Sequence, residues 1–537
     1  MIIKFILVLS FIFALIYKSR RSLHMIQQNL YNENNRYIKW VLQNYSDFFD
    51  FDIFLVCLSL IGCFAVFDLT FLSNTFMIIL IFFNIIIGLK IKNKIAHDQN
   101  KKPLVYTKRV KRLVFTTIVL YSITLVPFLI NSNNHFNWVL LFISSMMMWL
   151  NYFVVFIANI INYPYERAVY YHYKHMAQSK LNSMNNLKII GITGSYGKTS
   201  SKNILSDILN VKYNALPTPK NLNTYNGLIM TVNNHMDKFT DIFIAEMGAY
   251  VKGEIKGLCN LVHPKYGILT TIGTAHLESF GSEQNIIDGK FELIESLPSD
   301  GFAVLNGDDP KQVSYHLKNK VKVIWIGIDN EEADVRATNI KCSGSGTSFD
   351  VVFKNDSKSY AFTTRLLGKH NVYNILAGIA CGIEFDISID DLIHAVKGVR
   401  PVEHRLELKR LGNFYQIDDA YNSNPVGAKN ACEVLSLMDG IRVVVTPGMI
   451  ELGAKEEEYN REFGRQIAKI AKPDYVVLIG ENRTKPIYDG LVSEEFDKSK
   501  IVVFNDVRAA YPFISSLTGK DEVYALFEND LPDTYNE

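Results

Sequence analysis

Long apolar runs are concentrated in the first 160 of the 537 residues. Five of these runs are long enough to cross the ~30 Å hydrocarbon core of a bilayer as helices. They lie near 1–17, 52–72, 74–90, 113–131 and 137–161. Five such apolar runs in succession, each with few or no charged residues, are not typical of buried helices in a soluble domain. The pattern predicts a multi-span helical membrane region over 1–161. The first run is expected to be a retained anchor, because no small-residue cleavage site precedes the basic Lys18.

Lysine and arginine residues predict how this region is oriented. Segment 90–112 carries nine of them, whereas the turns near 72–75 and 131–137 carry none. Cytoplasmic loops are enriched in these residues. Five spans then place the basic segments 18–50 and 90–112 in the cytoplasm, together with the chain after 161. We expect a multi-pass protein of the cell membrane that contacts membrane lipid, with segment 90–112 facing anionic headgroups.

Charge and cysteine content exclude other classes of protein. The formal net charge is +2, so the chain lacks the basic footprint of a nucleic-acid binder, and no nucleic acid is expected as a partner. Its six cysteines are scattered without a CxxC pair, which argues against a disulfide framework or a zinc site. Their distribution is typical of a reducing cytoplasm.

A glycine loop follows the polar segment 162–186, which we interpret as a linker. The sequence GITGSYGKTSSKNIL, after the apolar 187–191, predicts a strand, a loop and a helix. Backbone N–H groups of such a loop bind phosphate oxygens, and the helix N-terminus adds positive potential. A strict Walker A loop has glycine where Ile192 stands, so this is a variant. The residues expected to bind ATP here are Gly194, Ser195, Gly197, Lys198, Thr199 and Ser200.

From this loop onward, residues 187–537 resemble the Mur ligases. The loop matches TGSxGKT, IFIAEMGAYVKGEI (242–255) matches a strand ending in a magnesium-binding glutamate, and TTIGTAHLESFGS (270–282) matches a segment with a metal-binding histidine. Segment 289–310 carries the lysine that the family converts to a carbamate, an oxygen ligand suited to Mg²⁺. The resemblance implies ATP and Mg²⁺ as cofactors. The implied metal ligands are Thr199, Glu246, His276 and, if carbamoylated, Lys290.

Two further motifs of the family are expected near the nucleotide. The NGDD element begins at Asn306 and includes Asp308 and Asp309, and LLGKHNVYNILAGIA (366–380) resembles a helix start that packs on adenine. From the second motif, the resemblance implies contacts through His370, Asn371 and Asn374.

After residue 400, strands and helices alternate, which predicts a parallel sheet. This part resembles the lid domain of Mur ligases. VEHRLE supplies Arg405, which matches an arginine that reaches the ATP phosphates, and DDAYNSNP resembles an element of the MurF branch, which adds D-alanyl-D-alanine to a nucleotide-linked tripeptide. The residues implied there are Asp418 in catalysis, Asp419 in ATP binding, and Tyr421 and Asn422 at the substrate.

The expected fold class is α/β after the helical membrane region. The predicted divisions are a transmembrane region (1–161), a linker (162–186), a P-loop-type ATP-binding central domain (187–399) and a Rossmann-like C-terminal domain (400–537). The implied reaction forms an acyl-phosphate and then an amide. The implied catalytic set is Lys198, Glu246, His276, Lys290, Arg405 and Asp418.

Three departures from the family pattern concern the substrate. Membrane spans stand where Mur ligases have a soluble UDP-binding domain. KNLNTYNG (220–227) keeps Asn221 and Asn223 as expected substrate contacts but has Tyr225 where MurF-type enzymes commonly have glutamate. The usual KGS near the C-terminus is replaced by a stretch containing ENDLPD (528–533), which we interpret as a solvated tail, or alternatively as a contact for a cationic amine.

These patterns lead to three hypotheses of function. The leading one is a MurF-like ligase at the cytoplasmic membrane face, which joins a carboxylate-bearing envelope precursor, either lipid-linked or otherwise membrane-proximal, to an amine. The second is a ligase like poly-γ-glutamate synthetase that builds a capsule-type polymer. The third is a membrane-anchored nucleotide-binding scaffold without ligase activity. The sequence identifies no protein partner.

Overall fold

The computed structural model describes residues 2–44, 52–65, 70–97, 103–273, 277–343, 346–420, 423–450, 452, 455–519 and 521–529. The chain divides into two compact units, Met1–His172 and Tyr173–Glu537.

The first unit is helical. Its helices are α1 (Ile2–Gln28), α2 (Arg36–Gln43), α3 (Asp52–Ala65), α4 (Thr70–His97), α5 (Lys108–Ile130), α6 (Asn134–Trp149) and the first part of α7 (Asn151–Asn182). Among the described residues, three helices (α1, α4 and α5) are long and apolar enough to cross a membrane, and α6 with α7, bent by 87°, would count as a fourth if the pair is one span. The expected linker 162–186 is helical as far as Asn182.

Within the described residues, the second and fifth expected runs are not single helices of full spanning length, and the five-span arrangement stays a prediction. The expected span 52–72 is represented by α3, which has 14 residues and is about 21 Å long at 1.5 Å per residue, short of a ~30 Å core. Residues 66–69 lie outside the described part. The expected span 137–161 is divided between α6 and α7 by their bend. Hydropathy reports the apolar run and not where a helix ends or turns.

Contacts near the two ends of helix α3 give its direction in the bundle. Asp52, at its start, forms an ion pair with Lys18 on α1. Gly62, near its end, lies against the indole ring of Trp138, whose Nε1 donates to Ser73 Oγ at 3.2 Å. Because Ser73 is at the start of α4, helix α3 is antiparallel to α4. This direction agrees with the sequence-based expectation that successive spans cross the membrane in opposite directions.

Large apolar side chains cover the outside of the bundle. Those that are well exposed include Phe5 and Leu9 on α1, Phe82 and Ile86 on α4, and Phe115 and Ile123 on α5. Polar side chains are paired inside it instead, as where Asn151 Nδ2 donates to Ser22 Oγ at 2.8 Å and Ser144 Oγ to Thr124 Oγ1 at 2.8 Å. Apolar outer faces and hydrogen bonds between helices are typical of helices that pack in lipid.

The second unit begins with a mixed sheet of nine strands in the described part, ordered β2-β3-β1-β4-β5-β6-β7-β8-β9. The strands are β1 (Lys188–Thr193), β2 (Ala215–Pro217), β3 (Ile242–Glu246), β4 (Tyr266–Leu269), β5 (Phe302–Asn306), β6 (Lys322–Gly327), β7 (Val335–Ser343), β8 (Gly346–Phe353) and β9 (Ser359–Thr364). Strands β2 to β7 in this order pair in parallel, and β8 and β9 are antiparallel additions.

Helices cover both faces of this sheet. They are α8 (Lys198–Leu209), α9 (Tyr225–Asn234), α10 (Glu254–Val262), α11 (Leu277–Phe280), α12 (Glu283–Glu295), α13 (Pro310–Val313), α14 (Lys369–Glu384) and α15 (Ile389–Gly398). Helix α14 lies against α8 where Gly378 meets Ile208, and α12 lies against β1 where Gly191 meets Leu293. Strands covered on both faces need continuous apolar runs, as IIGI in β1 and IFIA in β3 supply.

A six-stranded sheet follows in the described residues, ordered β10-β11-β15-β12-β13-β14. Its strands are β10 (Glu407–Leu411), β11 (Phe414–Asp419), β12 (Ile441–Thr446), β13 (Tyr475–Ile479), β14 (Ile501–Phe504) and β15 (Val523–Glu528). Its helices are α16 (Pro425–Ser436), α17 (Glu456–Gln466), α18 (Glu481–Ser493) and α19 (Ala510–Ser516). The predicted βαβ alternation is confirmed, except that the edge strand β10 is antiparallel to β11.

Candidate active site

The glycine loop joins β1 to α8 and is held in shape by the residues that follow β4. Gly194 has φ +151°, and a Cβ there would lie 1.9 Å from Thr270 Oγ1, so only glycine fits. The Ser195 N–H donates to the Thr271 carbonyl at 2.9 Å, and Thr270 Oγ1 donates to the Tyr196 carbonyl at 2.6 Å. The loop is thus formed at the N-terminus of α8, the end of a helix that attracts anions.

Lys198 lies over this loop. Its Nζ donates to the carbonyls of Gly194 and Ser195, at 2.7 Å and 3.3 Å. Burial lowers the pKa of Lys198, while nearby Glu246 opposes the shift and Arg405 adds to it. The role of Arg405 on the ATP phosphates stays a prediction.

Glu246, at the end of β3, is the centre of the site. Its side chain is 1% exposed. Oε1 accepts hydrogen bonds from Thr199 Oγ1 at 3.2 Å and Asn223 Nδ2 at 3.0 Å. Oε2 lies 3.0 Å from Lys202 Nζ but accepts no hydrogen bond within the described residues. A carboxylate with an unsatisfied oxygen beside a hydroxyl is a donor set that suits Mg²⁺, so the residues present fit this ion.

Sequence reasoning missed Lys202. It is buried, four residues after Lys198 on α8, and its Nζ also donates to the Lys220 carbonyl at 2.6 Å. Lys202 thus ties Glu246 to the loop that carries Asn221 and Asn223. The available signal was the spacing of lysines in GKTSSK, which puts both on one side of the helix.

Lys290, on α12, is buried against a ring and a carbonyl. It is 2% exposed, its Nζ donates to the Ala249 carbonyl at 3.5 Å, and it lies 5.3 Å from the centre of the Phe280 ring. Burial, followed by the charge of nearby Lys198, lowers the pKa of Lys290 to about 7. A substantial fraction of this amine is therefore neutral at neutral pH, the form that reacts with CO₂.

The NGDD element shapes the rim of the site. Asp308 accepts hydrogen bonds from the backbone N–H of Ile328 and of Asn330, both at 2.6 Å, and from Tyr373 Oη at 2.7 Å. These bonds lower the pKa of Asp308 against the opposing effect of burial. The Asn306 side chain in turn accepts from the Asp308 N–H at 3.0 Å. Both side chains are engaged in holding this turn.

The start of α14 lies beside the glycine loop. Asn374 Nδ2 donates to Asn371 Oδ1 at 3.4 Å, and a Cβ at Gly197 would lie 3.8 Å from Asn374 Oδ1. Burial lowers the pKa of His370 to about 4, so its imidazole is neutral at pH 7. The predicted adenine-side residues are therefore adjacent to the predicted phosphate-side residues.

The remaining predicted residues are placed as follows. Ser200 is in the first turn of α8, and the Asn221 carbonyl accepts from the Asn223 N–H at 2.8 Å. Asp418 is buried and accepts from Lys409 Nζ at 2.8 Å, with His404 Nδ1 at 2.9 Å. Asp418 is thus engaged in pairs with residues near its own strand. His276, Tyr421 and Asn422 lie outside the described residues, so their predicted roles stay predictions.

Asp419 and Glu528 form a pair of carboxyl groups at the ends of β11 and β15, with Glu528 buried and Asp419 partly buried. The two residues are in register. Ser423 Oγ donates to Glu528 Oε1 at 2.5 Å. Burial raises the pKa of Asp419 to about 6, although the hydrogen bond with Glu528 and the charge of Arg405 oppose the shift. Burial and the nearby Asp419 raise the pKa of Glu528 well above its usual range.

This pair corrects the interpretation of ENDLPD as a solvated tail for its first two residues, Glu528 and Asn529. Glu528 is 1% exposed and ends a strand within the sheet. Asn529 is also buried, and its Nδ2 donates to the Gly448 carbonyl at 2.7 Å. Strand pairing buries these polar groups, which a list of acidic residues does not reveal. Residues 530–533 lie outside the described part.

Comparison with known proteins agrees with this geometry. The family model of the Mur ligase middle domain matches residues 192–382, and that of the Mur ligase glutamate ligase domain matches residues 404–526. The chain is 34% identical over 285 residues to UDP-N-acetylmuramoyl-tripeptide–D-alanyl-D-alanine ligase of Bacillus subtilis, a match that covers 52% of this chain and 60% of that protein. It is 31% identical over 318 residues to the Escherichia coli protein of the same name, with 59% and 70% covered.

A solved structure extends the likeness to the fold. MurF from Acinetobacter baumannii superposes with a TM-score of 0.59 at 26% identity, over 67% of this chain and 77% of that one. The chain belongs to the Mur ligase family, whose members are ATP-dependent ligases that form amide bonds and use Mg²⁺. The likeness to this family and its MurF branch, expected from the motifs, is confirmed.

Replacement of Lys202 tests whether this lysine compensates the Glu246 charge. Lys202→Met leaves a buried carboxylate without its cation, a change that costs about 3–5 kcal/mol. We expect the melting temperature to fall in Mg²⁺-free buffer and to recover partly with excess MgATP, because Mg²⁺ supplies the missing positive charge. Lys238→Met, at an exposed lysine, is the control. An equal fall with and without MgATP would contradict this role.

Replacement of Glu528 tests this pair of carboxyl groups. The pKa of Asp419 is raised, so the folded chain holds a proton that the unfolded chain releases, and stability falls as pH rises from about 4 to about 6. Glu528→Gln keeps an acceptor for Ser423 and removes a charge. We expect a gain of about 1–3 kcal/mol at pH 8 and little gain at pH 4. Melting curves of this variant and of the exposed control Glu458→Gln measure it, and a loss of stability at pH 8 would refute the assignment.

Proposed function

We propose that this protein is a membrane-anchored, MurF-like ligase that uses ATP to form an amide bond in the biosynthesis of cell wall or another envelope polymer. The observation that carries this proposal is the cluster around Glu246. There, Thr199, Asn223 and Lys202 converge on one buried carboxylate beside a preformed glycine loop. Such a cluster suits the phosphates of ATP and a divalent cation.

The proposed chemistry has two steps. A carboxylate oxygen of the first substrate attacks the γ-phosphorus of ATP, ADP leaves, and an acyl-phosphate forms. The amine nitrogen of the second substrate then attacks the acyl carbon, phosphate leaves, and the amine loses a proton. Lys198 and Arg405 contribute positive charge where negative charge spreads over the transferred group. Mg²⁺, held by Thr199 and Glu246, would neutralise phosphate charge when bound.

The helical unit supports action at the membrane. Its outward faces carry large apolar side chains, and three of its helices meet the length and composition of membrane spans. We therefore propose that the catalytic part works at the cytoplasmic face of the cell membrane, on a carboxylate that is lipid-linked or otherwise held near the membrane. The matched relatives act, by their names, on a UDP-linked tripeptide and D-alanyl-D-alanine, and these are the first substrates to test. The chain spans 60% of the Bacillus subtilis relative.

ADP release by the full chain in detergent tests this proposal. The assay pairs D-alanyl-D-alanine with the UDP-linked tripeptide in one arm and with the same peptide on a lipid carrier in another. We expect turnover that needs both carboxylate and amine, and faster turnover with the lipid-linked donor. Thr199→Val keeps the shape of the side chain but removes the hydroxyl proposed to bind the metal. This variant should reduce turnover about 10–100-fold. ADP release that no carboxylate and amine stimulate would refute the ligase proposal.

Lys290 is proposed to carry a carbamate. Its neutral amine fraction grows as pH rises through about 7, so at fixed dissolved CO₂ we expect carbamate occupancy to increase from pH 6 to pH 8. Carbon-13 NMR with labelled CO₂ measures it directly. Lys290→Ala should lose the signal and most activity, and short-chain carboxylic acids should restore part of the activity. Lys256→Ala, at an exposed lysine, should keep both. Wild-type rates in Lys290→Ala would rule the carbamate out.

A further inference from the structure

The two residues that flank Arg405 have left-handed backbone conformations. His404 has φ +57° and Leu406 has φ +46°. Neither is a glycine, and a bulky side chain such as that of leucine rarely adopts a positive φ. Such a conformation persists only where the surrounding structure imposes it, and strained residues of this kind cluster at functional sites. The contacts that impose it therefore indicate what segment 404–406 does.

The first flank is held by the buried carboxylate of Asp418. His404 Nδ1 lies 2.9 Å from Asp418 Oδ2, and the nitrogen is the donor because a carboxylate oxygen accepts. The His404 N–H makes a longer bond of 3.3 Å to Glu407 Oε2. Nearly half of the His404 side chain is exposed, whereas that of Asp418 is 5% exposed. Packing alone therefore does not fix His404, and the hydrogen bond to a buried partner does.

The second flank is held by the next carboxylate of the same strand. Asp419 Oδ1 accepts from the Leu406 N–H at 3.2 Å, and the Leu406 side chain is buried in the core of the C-terminal sheet. Between the flanks, the Arg405 N–H donates to the Val402 carbonyl at 3.1 Å. Each neighbour of Arg405 is thus tied to one of two adjacent aspartates.

The antiparallel edge strand β10 brings these two segments together. Glu407, the first residue of β10, is in register with Asp418 near the end of β11. The residues that precede β10 therefore lie beside the end of β11. A parallel β10 would begin beside the start of β11 instead. This departure from the parallel pattern places Arg405 at the carboxyl end of β11, the end at which sheets of this kind bind ligands.

We infer that His404 is a positioning residue, whose hydrogen bond to Asp418 fixes the backbone from which Arg405 extends. The bond between Asp419 and Leu406 fixes the other side of Arg405. A guanidinium that is held in advance loses less conformational freedom when it binds phosphate. The inference rests on the role proposed above for Arg405, and it gives Asp418 an indirect part in the reaction.

Calorimetric titration of the full chain in detergent with MgATP tests this inference. His404→Ala removes the hydrogen bond to Asp418. His404→Asn is the rescue variant, because asparagine adopts a positive φ readily and its amide nitrogen is a donor for Asp418. His394→Ala, at an exposed histidine on α15, is the control. His404→Ala and the control are also each combined with Arg405→Ala.

We expect His404→Ala to weaken MgATP binding about tenfold, the effect of losing one hydrogen bond to a charged group. His404→Asn and the control should bind nearly as tightly as the wild type. In the Arg405→Ala background, His404→Ala should weaken binding no further, because no guanidinium remains to be positioned. Equal weakening in both backgrounds would overturn the inference. Wild-type affinity in either His404→Ala or Arg405→Ala would overturn it as well.

Failure of the ligase proposal is a separate outcome of these measurements. A wild type that binds MgATP but releases no ADP with any carboxylate and amine would refute the ligase reaction, while the affinities would still decide the role of His404. A wild type that does not bind MgATP would refute both. Where turnover is measured, His404→Ala should lower kcat by a similar factor, and His404→Asn should restore it.

Discussion

The buried carboxylate of Glu246 is the interaction on which the candidate active site depends. A charge in this position is tolerated only with compensating partners, and the chain supplies them from two separate segments. Thr199 and Lys202 come from the helix behind the glycine loop, and Asn223 comes from the loop before α9. Strand β3, the phosphate-binding helix and the substrate-side loop are therefore held as one unit. A shift in any of them therefore changes the proposed metal site and the glycine loop together.

Much of this site could be predicted because its signals are local. A glycine loop before Lys198 and an apolar strand ending in Glu246 each carry their chemistry within a few residues. Lys202 could not be assigned in this way, since its partner belongs to a strand distant in sequence and becomes visible only once β1 and β3 pair. The same holds for Glu528. An acidic residue near a chain end is usually solvated, and only the pairing of β15 with β11 shows that it is buried.

The helical unit shows a similar division between what patterns reveal and what packing adds. Hydropathy identified the apolar runs but did not detect the bend between α6 and α7. It also could not show that α1 and α4 are parallel neighbours, because that depends on contacts such as Ala14 with Gly88. Residues Lys18 and Lys90, which belong to two separate basic segments of the linear sequence, line one cavity only through this arrangement.

Strand β15 occupies a position with a consequence for how the protein is made. It follows every other strand of its sheet in the chain, yet it lies in the sheet interior, between β11 and β12. During synthesis on the ribosome, β11 and β12 therefore lack their shared neighbour until the last part of the sheet emerges. The nine-stranded sheet has all its strands by Thr364 and can form earlier. The ATP-binding part is thus able to mature first, while the C-terminal sheet stays exposed to chaperones and proteases for longest.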